Sequence, residues 1–402
     1  MAAHVTHGTK GPHSMNRIAA AAVLALLAGA LPADGAGAQV MEARPVLDLP
    51  PDPAAAPGAR EPAAPAPPSA AAGQSATPVI QADPRIVAPQ PWRREHAMAL
   101  LSVIDGIDAE GLDPADYRPE ALAAAIAAGE GEALDRVASE AFVWLVEDLR
   151  DGRTPMAARR QWFVLDPDAD HSPTATVMRE ALASGDIAGA LAALNPAHPD
   201  YAALREALAR TPAAQAERRA LIRANMDRWR WLGRDLGRRY LITNVPEYQL
   251  RLTVNDRIIR TYRTIVGAPG RTATPQLAEI VEGVIFNPNW TVPQSIVVGE
   301  GLGNRVLNNP AWARRNGYRA TRGAGGFITV VQAPGPGNAL GMMKLDMPNE
   351  HAIFLHDTPD RSLFNRDNRA LSHGCIRTER ALELAMTVAM LGEGATREEV
   401  VA

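Results

Sequence analysis

Residues 238–267 read "RRYLITNVPEYQLRLTVNDRIIRTYRTIVG". The runs RYLITNV, YQLRLTVN and RIIRTYRTIVG are short and rich in β-branched and aromatic residues, and Asn255-Asp256 separates the last two. Such side chains suit a pleated surface, and an Asx pair between two of these runs signals a hairpin, so the stretch predicts consecutive strands. The residues before it have another period. "REHAMALLSVIDGIDAEGL" sets Met98, Leu101, Ile104 and Ile107 at three-residue steps, and "EALDRVASEAFVWLVEDLR" does the same with Leu134, Val137, Ala141, Trp144 and Leu145. Both predict helices. "HPDYAALREALARTPAAQAERRALIRANMDRWRWLG" continues as helices, broken near Thr211-Pro212 and closing on Gly233, while Asp113-Pro114 and Asp166-Pro167 mark turns. Beyond residue 267 the chain carries further strand runs, EIVEGVIFN, GFITVVQ, MMKLDM and HAIFLHDT, between glycine- and proline-rich loops, and a helix-like stretch from Glu379 to Leu391. The expected fold class is therefore α+β: a helical domain over residues 93–236, then a strand-rich domain over 237–402.

The N-terminal quarter has no such pattern. From Met15, Arg17 supplies a positive charge, Ile18 to Leu31 is apolar or small, and Ala36-Gly37-Ala38 precedes Gln39. This is the layout of a secretory signal peptide over residues 1–38, with translation expected to start at Met15, and the apolar run is short for a membrane span. An uncleaved membrane anchor is the alternative. Residues 39–92 are dominated by alanine, proline and glycine, which predicts an extended, disordered linker. No lysine/arginine tract points to nucleic acid or to an anionic membrane surface.

Export makes the cysteine count informative. The chain has one cysteine, Cys375, inside "LHDTPDRSLFNRDNRALSHGCIRT". Outside the cytoplasm a lone cysteine is incidental, paired between molecules, or a reactive thiol. A cysteine nucleophile needs a base or a cation beside it and donors for the oxyanion it creates. His356 ends a predicted strand and Cys375 comes after a polar loop, just before a helix. A neighbouring imidazolium predicts a lowered thiol pKa. The opposing reading is a buried small hydrophobe and a polar strand-end histidine.

The segment from His356 through Ser372-His373-Gly374-Cys375-Ile376-Arg377 resembles the active-site signature of the L,D-transpeptidases with a YkuD-type catalytic domain. "VIFNPNWTVPQSIV", "QAPGPGNALGMMKLDMPN", "FLHDTP" and "RANMDRWRWLG" resemble the long periplasmic branch of that family, and the helical region with "GLDPADY" resembles its scaffold domain. The resemblance covers about residues 97–391. It implies mixed, sandwich-like sheets with a helix after the cysteine, and a chain that stops at Ala402 soon after that helix leads to the expectation of a C-terminally shortened sheet with a bare edge.

The resemblance also implies roles. Cys375 is the nucleophile and His356 the proton carrier, its ring oriented by the Asp357 carbonyl. His373 and Gly374 shape the oxyanion region with the Cys375 amide. Ser372 and Arg377 support the loop and the substrate, with Arg377 either meeting a substrate carboxylate or serving a structural ion pair. Asn287, Trp290, Asn338 and Lys344 match family motifs and line the cleft, with Trp290 and Asn338 structural rather than catalytic, and Arg361, Arg366 and Arg369 face the anionic stem peptide or solvent. The implied function is a peptidoglycan L,D-transpeptidase of the periplasm, acting on stem peptides by acyl transfer with no metal or organic cofactor. The alternatives are an L,D-carboxypeptidase or a protein-anchoring enzyme with the same site, and a wall-binding protein without catalysis.

Overall fold

The computed structural model describes residues 18–21, 87–164, 173–392 and 396–401. Most of the expected signal segment, the linker up to residue 86 and the Asp166-Pro167 turn lie outside the described residues.

Five helices share the first core: α1 (Arg94–Asp105), α2 (Pro119–Ala128), α3 (Glu132–Arg150), α4 (Thr174–Ser184) and α5 (Ile187–Ala192). The buried face of α1 is Ala97, Leu100 and Ile104, while Met98 is 54% exposed. A row of three-residue steps slips back by roughly 60° each time on an α-helix, so the Met98 row winds off the core and the 3-then-4 spacing wins. Trp92, assigned by sequence to the linker, belongs to this core: it is buried, its backbone N–H donates to Asp135 and its indole N–H to Ser139.

Two further helices, α6 (Pro199–Arg210) and α7 (Ala216–Arg230), break at Thr211-Pro212 as expected. Tyr201, Leu208, Met226 and Trp229 on these helices bury themselves against Tyr240 and Ile242, the first residues of the strand-rich domain to join a core.

The strand-rich domain is one large sheet around one helix, with a small unit attached. Its strands are β1 (Ile18–Ala21), β2 (Arg239–Asn244), β3 (Gln249–Val254), β4 (Arg257–Gly267), β5 (Glu279–Val281) and β6 (Gly283–Phe286), then, after the small unit, β10 (Met343–Asp346), β11 (Leu355–His356), β12 (Ala370–Ser372) and β13 (Ile376–Thr378). The small unit holds β7 (Trp290–Thr291), α8 (Gln294–Gly299), α9 (Leu302–Asn308), α10 (Pro310–Arg315), β8 (Tyr318–Arg322) and β9 (Ile328–Gln332). The large sheet runs β5-β1-β2-β3-β4-β13-β11-β10-β6, with β12 beside β4, and the small sheet runs β7-β9-β8. The predicted β3–β4 hairpin is present, with positive φ at both Asn255 (48°) and Asp256 (59°), the backbone of a tight primed turn.

The two ends of the large sheet, β5 and β6, are consecutive in the chain and separated only by Glu282, whose N–H donates to Asp346. The two ends of the sheet thus adjoin along one stretch of chain, with no ladder between β5 and β6 among the described residues, and β5 joins the path through β1. Inside the segment read as a signal peptide, β1 pairs in parallel with β2 and antiparallel with β5. The post-cysteine helix, α11 (Ala381–Gly392), supplies Ala381, Leu384, Ala385 and Val388 to the core that the sheet surrounds.

Candidate active site

Side chains alternate along a strand, so each strand of the large sheet offers one set to α11 and the other to the opposite face. Met343, Leu345, Leu355 and Ile376 form the α11 side and are fully buried. On the other face, register sets Lys344 opposite His356, and His356 opposite Arg377. Cys375 stands two residues before Arg377 and immediately before β13, so it joins the same face, diagonal to His356. Three strands thus bring one thiol, one imidazole and two cations together.

His356 is 5% exposed, and its Nδ1 lies 2.5 Å from the Asp357 carbonyl oxygen. A carbonyl can only accept, which assigns the ring proton to Nδ1, and the Leu340 backbone also bonds the ring. Burial, helped by the Arg377 charge, pushes the imidazole down to about 3, so it is neutral at ordinary pH. Asp357 itself is held: its carboxylate accepts from the Met342 N–H at 2.9 Å and faces Arg361 at 3.7 Å.

The nucleophile loop is braced from both sides. The Ser372 hydroxyl donates to the Cys375 carbonyl at 2.5 Å and accepts from the Gly374 N–H at 3.2 Å. The Thr274 hydroxyl donates to the Gly374 carbonyl at 2.8 Å and accepts from the Gly267 N–H at 2.8 Å. Gly374 has φ 118°, and a Cβ there would stand 2.8 Å from the Ile353 side chain, so only glycine fits. The Cys375 N–H, by contrast, donates to no group among the described residues. Its sulfur is 3.6 Å from the Ala352 carbonyl and accepts from the Phe354 N–H.

The expected lowering of the thiol pKa is not what this surrounding produces. Burial pushes the Cys375 thiol up, opposed by the Phe354 N–H and by the Arg377 and Lys344 charges. A neutral His356 supplies no imidazolium to reverse the direction. The resting pair is a neutral thiol beside a neutral imidazole.

Other residues singled out by sequence separate into two groups. Arg377 and Lys344 are in the row. Arg377 is half-buried, burial pushes its guanidinium down, and it forms no ion pair within 4 Å among the described residues. Lys344 lies over the Phe354 ring at 4.1 Å. Ser372 and Asn338 are spent on scaffolding: Asn338 is buried, donates to the Pro288 and Ala333 carbonyls and accepts from the Leu340 N–H. Trp290 packs on the core of the small unit, and Asn287 is exposed in a left-handed turn. The polar atoms of Ser372 and Asn338 are thus taken up inside the protein, where satisfied amides and hydroxyls have nothing left to offer a ligand. Arg369 is likewise committed to the Thr264 and Arg366 carbonyls, while Arg361 and Arg366 are exposed. The His373 ring is engaged by the inserted unit: its Nε2 meets Glu300 at 2.6 Å. Sequence reasoning missed Glu300 and Thr274, which sit far from the cysteine in the chain.

Comparison with known proteins agrees with this architecture. Residues 238–397 match the L,D-transpeptidase catalytic domain model, YkuD, and residues 90–208 match the scaffold domain model. A Haemophilus influenzae protein named "Putative L,D-transpeptidase" is 34% identical over 161 residues, which is 36% of this chain and 32% of the relative. The match spans about a third of the relative's length. The chain thus carries a YkuD-type L,D-transpeptidase catalytic domain behind a scaffold domain.

Proposed function

We propose that the protein is a peptidoglycan L,D-transpeptidase working through a thioester on Cys375, with His356 as the proton carrier. The observation that carries this reading is the row Lys344–His356–Arg377–Cys375, in which the thiol lies diagonal to an imidazole whose Nδ1 is tied to a carbonyl. As the sulfur attacks the carbonyl carbon of the third stem residue, its proton passes to His356 Nε2. The oxyanion that forms meets the free Cys375 N–H. Collapse breaks the C–N bond to D-alanine, whose nitrogen takes the proton from His356, and the acyl group stays on sulfur. The side-chain amine of a second stem then attacks the thioester and gives its proton through His356 to the departing sulfur, which yields a cross-link. Arg377, cationic and with no carboxylate within 4 Å among the described residues, though Asp360 acts on it from farther away, suits the carboxylate of the leaving D-alanine.

The neutral pair fits this order of events. Without substrate, the thiol stays protonated and protected; attack and proton transfer occur together, and the Arg377 and Lys344 charges favour the developing anion. Export to the periplasm belongs to the same reading, since the stem peptides are assembled into wall there.

Intact-protein mass spectrometry with a carbapenem tests the site. A single covalent adduct on the wild-type protein and none on Cys375→Ala supports it; an adduct on the folded variant overturns it. Incubation with a tetrapeptide-bearing muropeptide tests the acceptor: a cross-linked dimer is expected, and release of the tripeptide alone would instead favour a carboxypeptidase. Sequencing the N-terminus of the exported protein tests the leader, with Gln39 expected first; retention of residues 18–21 in the exported chain overturns its removal.

A further inference from the structure

Residues 287–338 form the small unit that is inserted between β6 and β10. It has its own core of Val292, Ile296, Leu302, Val306, Tyr318 and Val330. Asn338 ties together the two strands of its stem, through Pro288 on one side and Ala333 on the other. Away from the stem, the unit reaches the nucleophile loop at one ion pair among the described residues: Glu300, in the turn between α8 and α9, on His373. Both side chains are about one quarter exposed, at 25% and 26%. The contact is a short charge-assisted hydrogen bond at 2.6 Å, and it lands two residues from the nucleophile.

We propose that Glu300 is a positioning residue of the reaction: its carboxylate fixes the His373 ring and clasps the inserted unit onto the nucleophile loop. This role rests on the acyl-transfer chemistry proposed for Cys375. Gly374 gives the loop a backbone that glycine alone tolerates, Ser372 and Thr274 hold its inner side, and His373 is left as its outer handle. A carboxylate brought by a separately folded unit can hold that handle only when the unit is seated. Seating and loop order are thereby one event. Val298, 73% exposed on α8 two residues before Glu300, gives the α8–α9 turn an apolar surface next to the charged clasp.

Glu300→Gln keeps the shape and removes the charge; Glu300→Asp keeps the charge and shortens the reach. The second-order rate of carbapenem acylation of Glu300→Gln is expected to fall roughly tenfold, in line with the loss of one charged hydrogen bond, with Glu300→Asp recovering part of it. Hydrogen exchange is the second readout. Residues 294–308 and 372–376 should exchange faster in Glu300→Gln, and β3 should not change, which separates an open clasp from a damaged fold. The double variant with His373→Gln should acylate no more slowly than the slower single variant. Acylation of Glu300→Gln at the wild-type rate with unchanged exchange overturns the clasp, as does full additivity of the two substitutions. If the wild-type protein forms no adduct at all, the acyl-transfer reading fails instead, and the exchange comparison still decides whether the clasp exists.

Discussion

The two faces of β10, β11 and β13 share a backbone and a register but are built for opposite ends. On one face, Met343, Leu345, Leu355 and Ile376 lie against α11 and make a dry core. On the other, Lys344, His356 and Arg377 line up across three strands beside Cys375, half-buried or buried, with Lys344 4.0 Å from Asp346 and Arg377 without an ion pair within 4 Å among the described residues. The first face is stabilised by removing apolar area from water, about 25 cal/mol per Å². The second is costly in the same terms, since imidazole and guanidinium lose water without full compensation, and burial moves their protonation accordingly. One sheet thus holds a reservoir of stability directly behind a site that consumes it.

Substitutions should separate the faces. The largest expected effect is on the polar face: Cys375→Ala should abolish acylation while the thermal unfolding midpoint stays close to wild type, read by mass spectrometry and calorimetry on the same sample. His356→Ala should come next, lowering the acylation rate more than about 1000-fold, because it removes the proton carrier rather than one donor. His373→Ala should lose no more than about 100-fold, since its ring faces Glu300; a dead His373→Ala beside a brisk His356→Ala would reverse the assignment of the proton carrier. The apolar face should answer in stability instead. Leu345→Ala is expected to cost about 2–5 kcal/mol in denaturant unfolding and to leave the acylation rate of the remaining folded protein within a few-fold. A Leu345→Ala protein that keeps its stability would remove the contrast between the faces.

The smallest effect is one of pH, and its sign differs from the one that the sequence predicts. With the Cys375 thiol pushed up, iodoacetamide labelling should show its inflection above the ordinary thiol value of about 8.5. A depressed inflection that returns to normal in His356→Ala would restore an ion pair in the resting site. His356 gives the acid side. Its folded value of about 3 lies below the unfolded value of about 6.5, so the unfolded chain binds the proton first as pH falls. Its contribution is fully present above about pH 6.5 and is lost progressively toward pH 3. The acid limb of a stability–pH curve should be shallower in His356→Gln than in wild type.

Much of the fold is legible in the chain. The Asn255-Asp256 hairpin announces itself because a primed turn needs two positive φ angles, and few residues supply them. His356, Gly374 and Cys375 can be read because they sit in one local segment with fixed offsets, and the Asp357 carbonyl comes one residue after His356. Register and topology create the rest, and neither is written locally. Lys344 joins the row only through its pairing with His356, and Thr274 reaches Gly374 from a hundred residues away. Glu300 belongs to an inserted unit whose short helices and strands carry too few residues for a period to show. The direction of the thiol's shift escapes the sequence for the same reason: a histidine near a cysteine in the chain says nothing of how dry the space between them is.

The stem of the inserted unit has one more consequence. β6 and β10 are antiparallel neighbours, with Phe286 paired to Met343, so residues 287–342 are, topologically, the turn of a single hairpin. Their ends emerge one strand spacing apart, about 5 Å. Closing a loop costs only about 0.6 kcal/mol more for each doubling of its length, so the sheet is nearly indifferent to what the hairpin carries. A cassette can be shortened, exchanged or transplanted here with the sheet's register intact, and a denaturant melt of a chain with a short turn in its place would read that indifference directly. The strands that hold the thiol thus keep their register whatever the hairpin carries, while the Glu300–His373 contact and the Met342 N–H on Asp357 are the points where an exchanged cassette would be felt at the site.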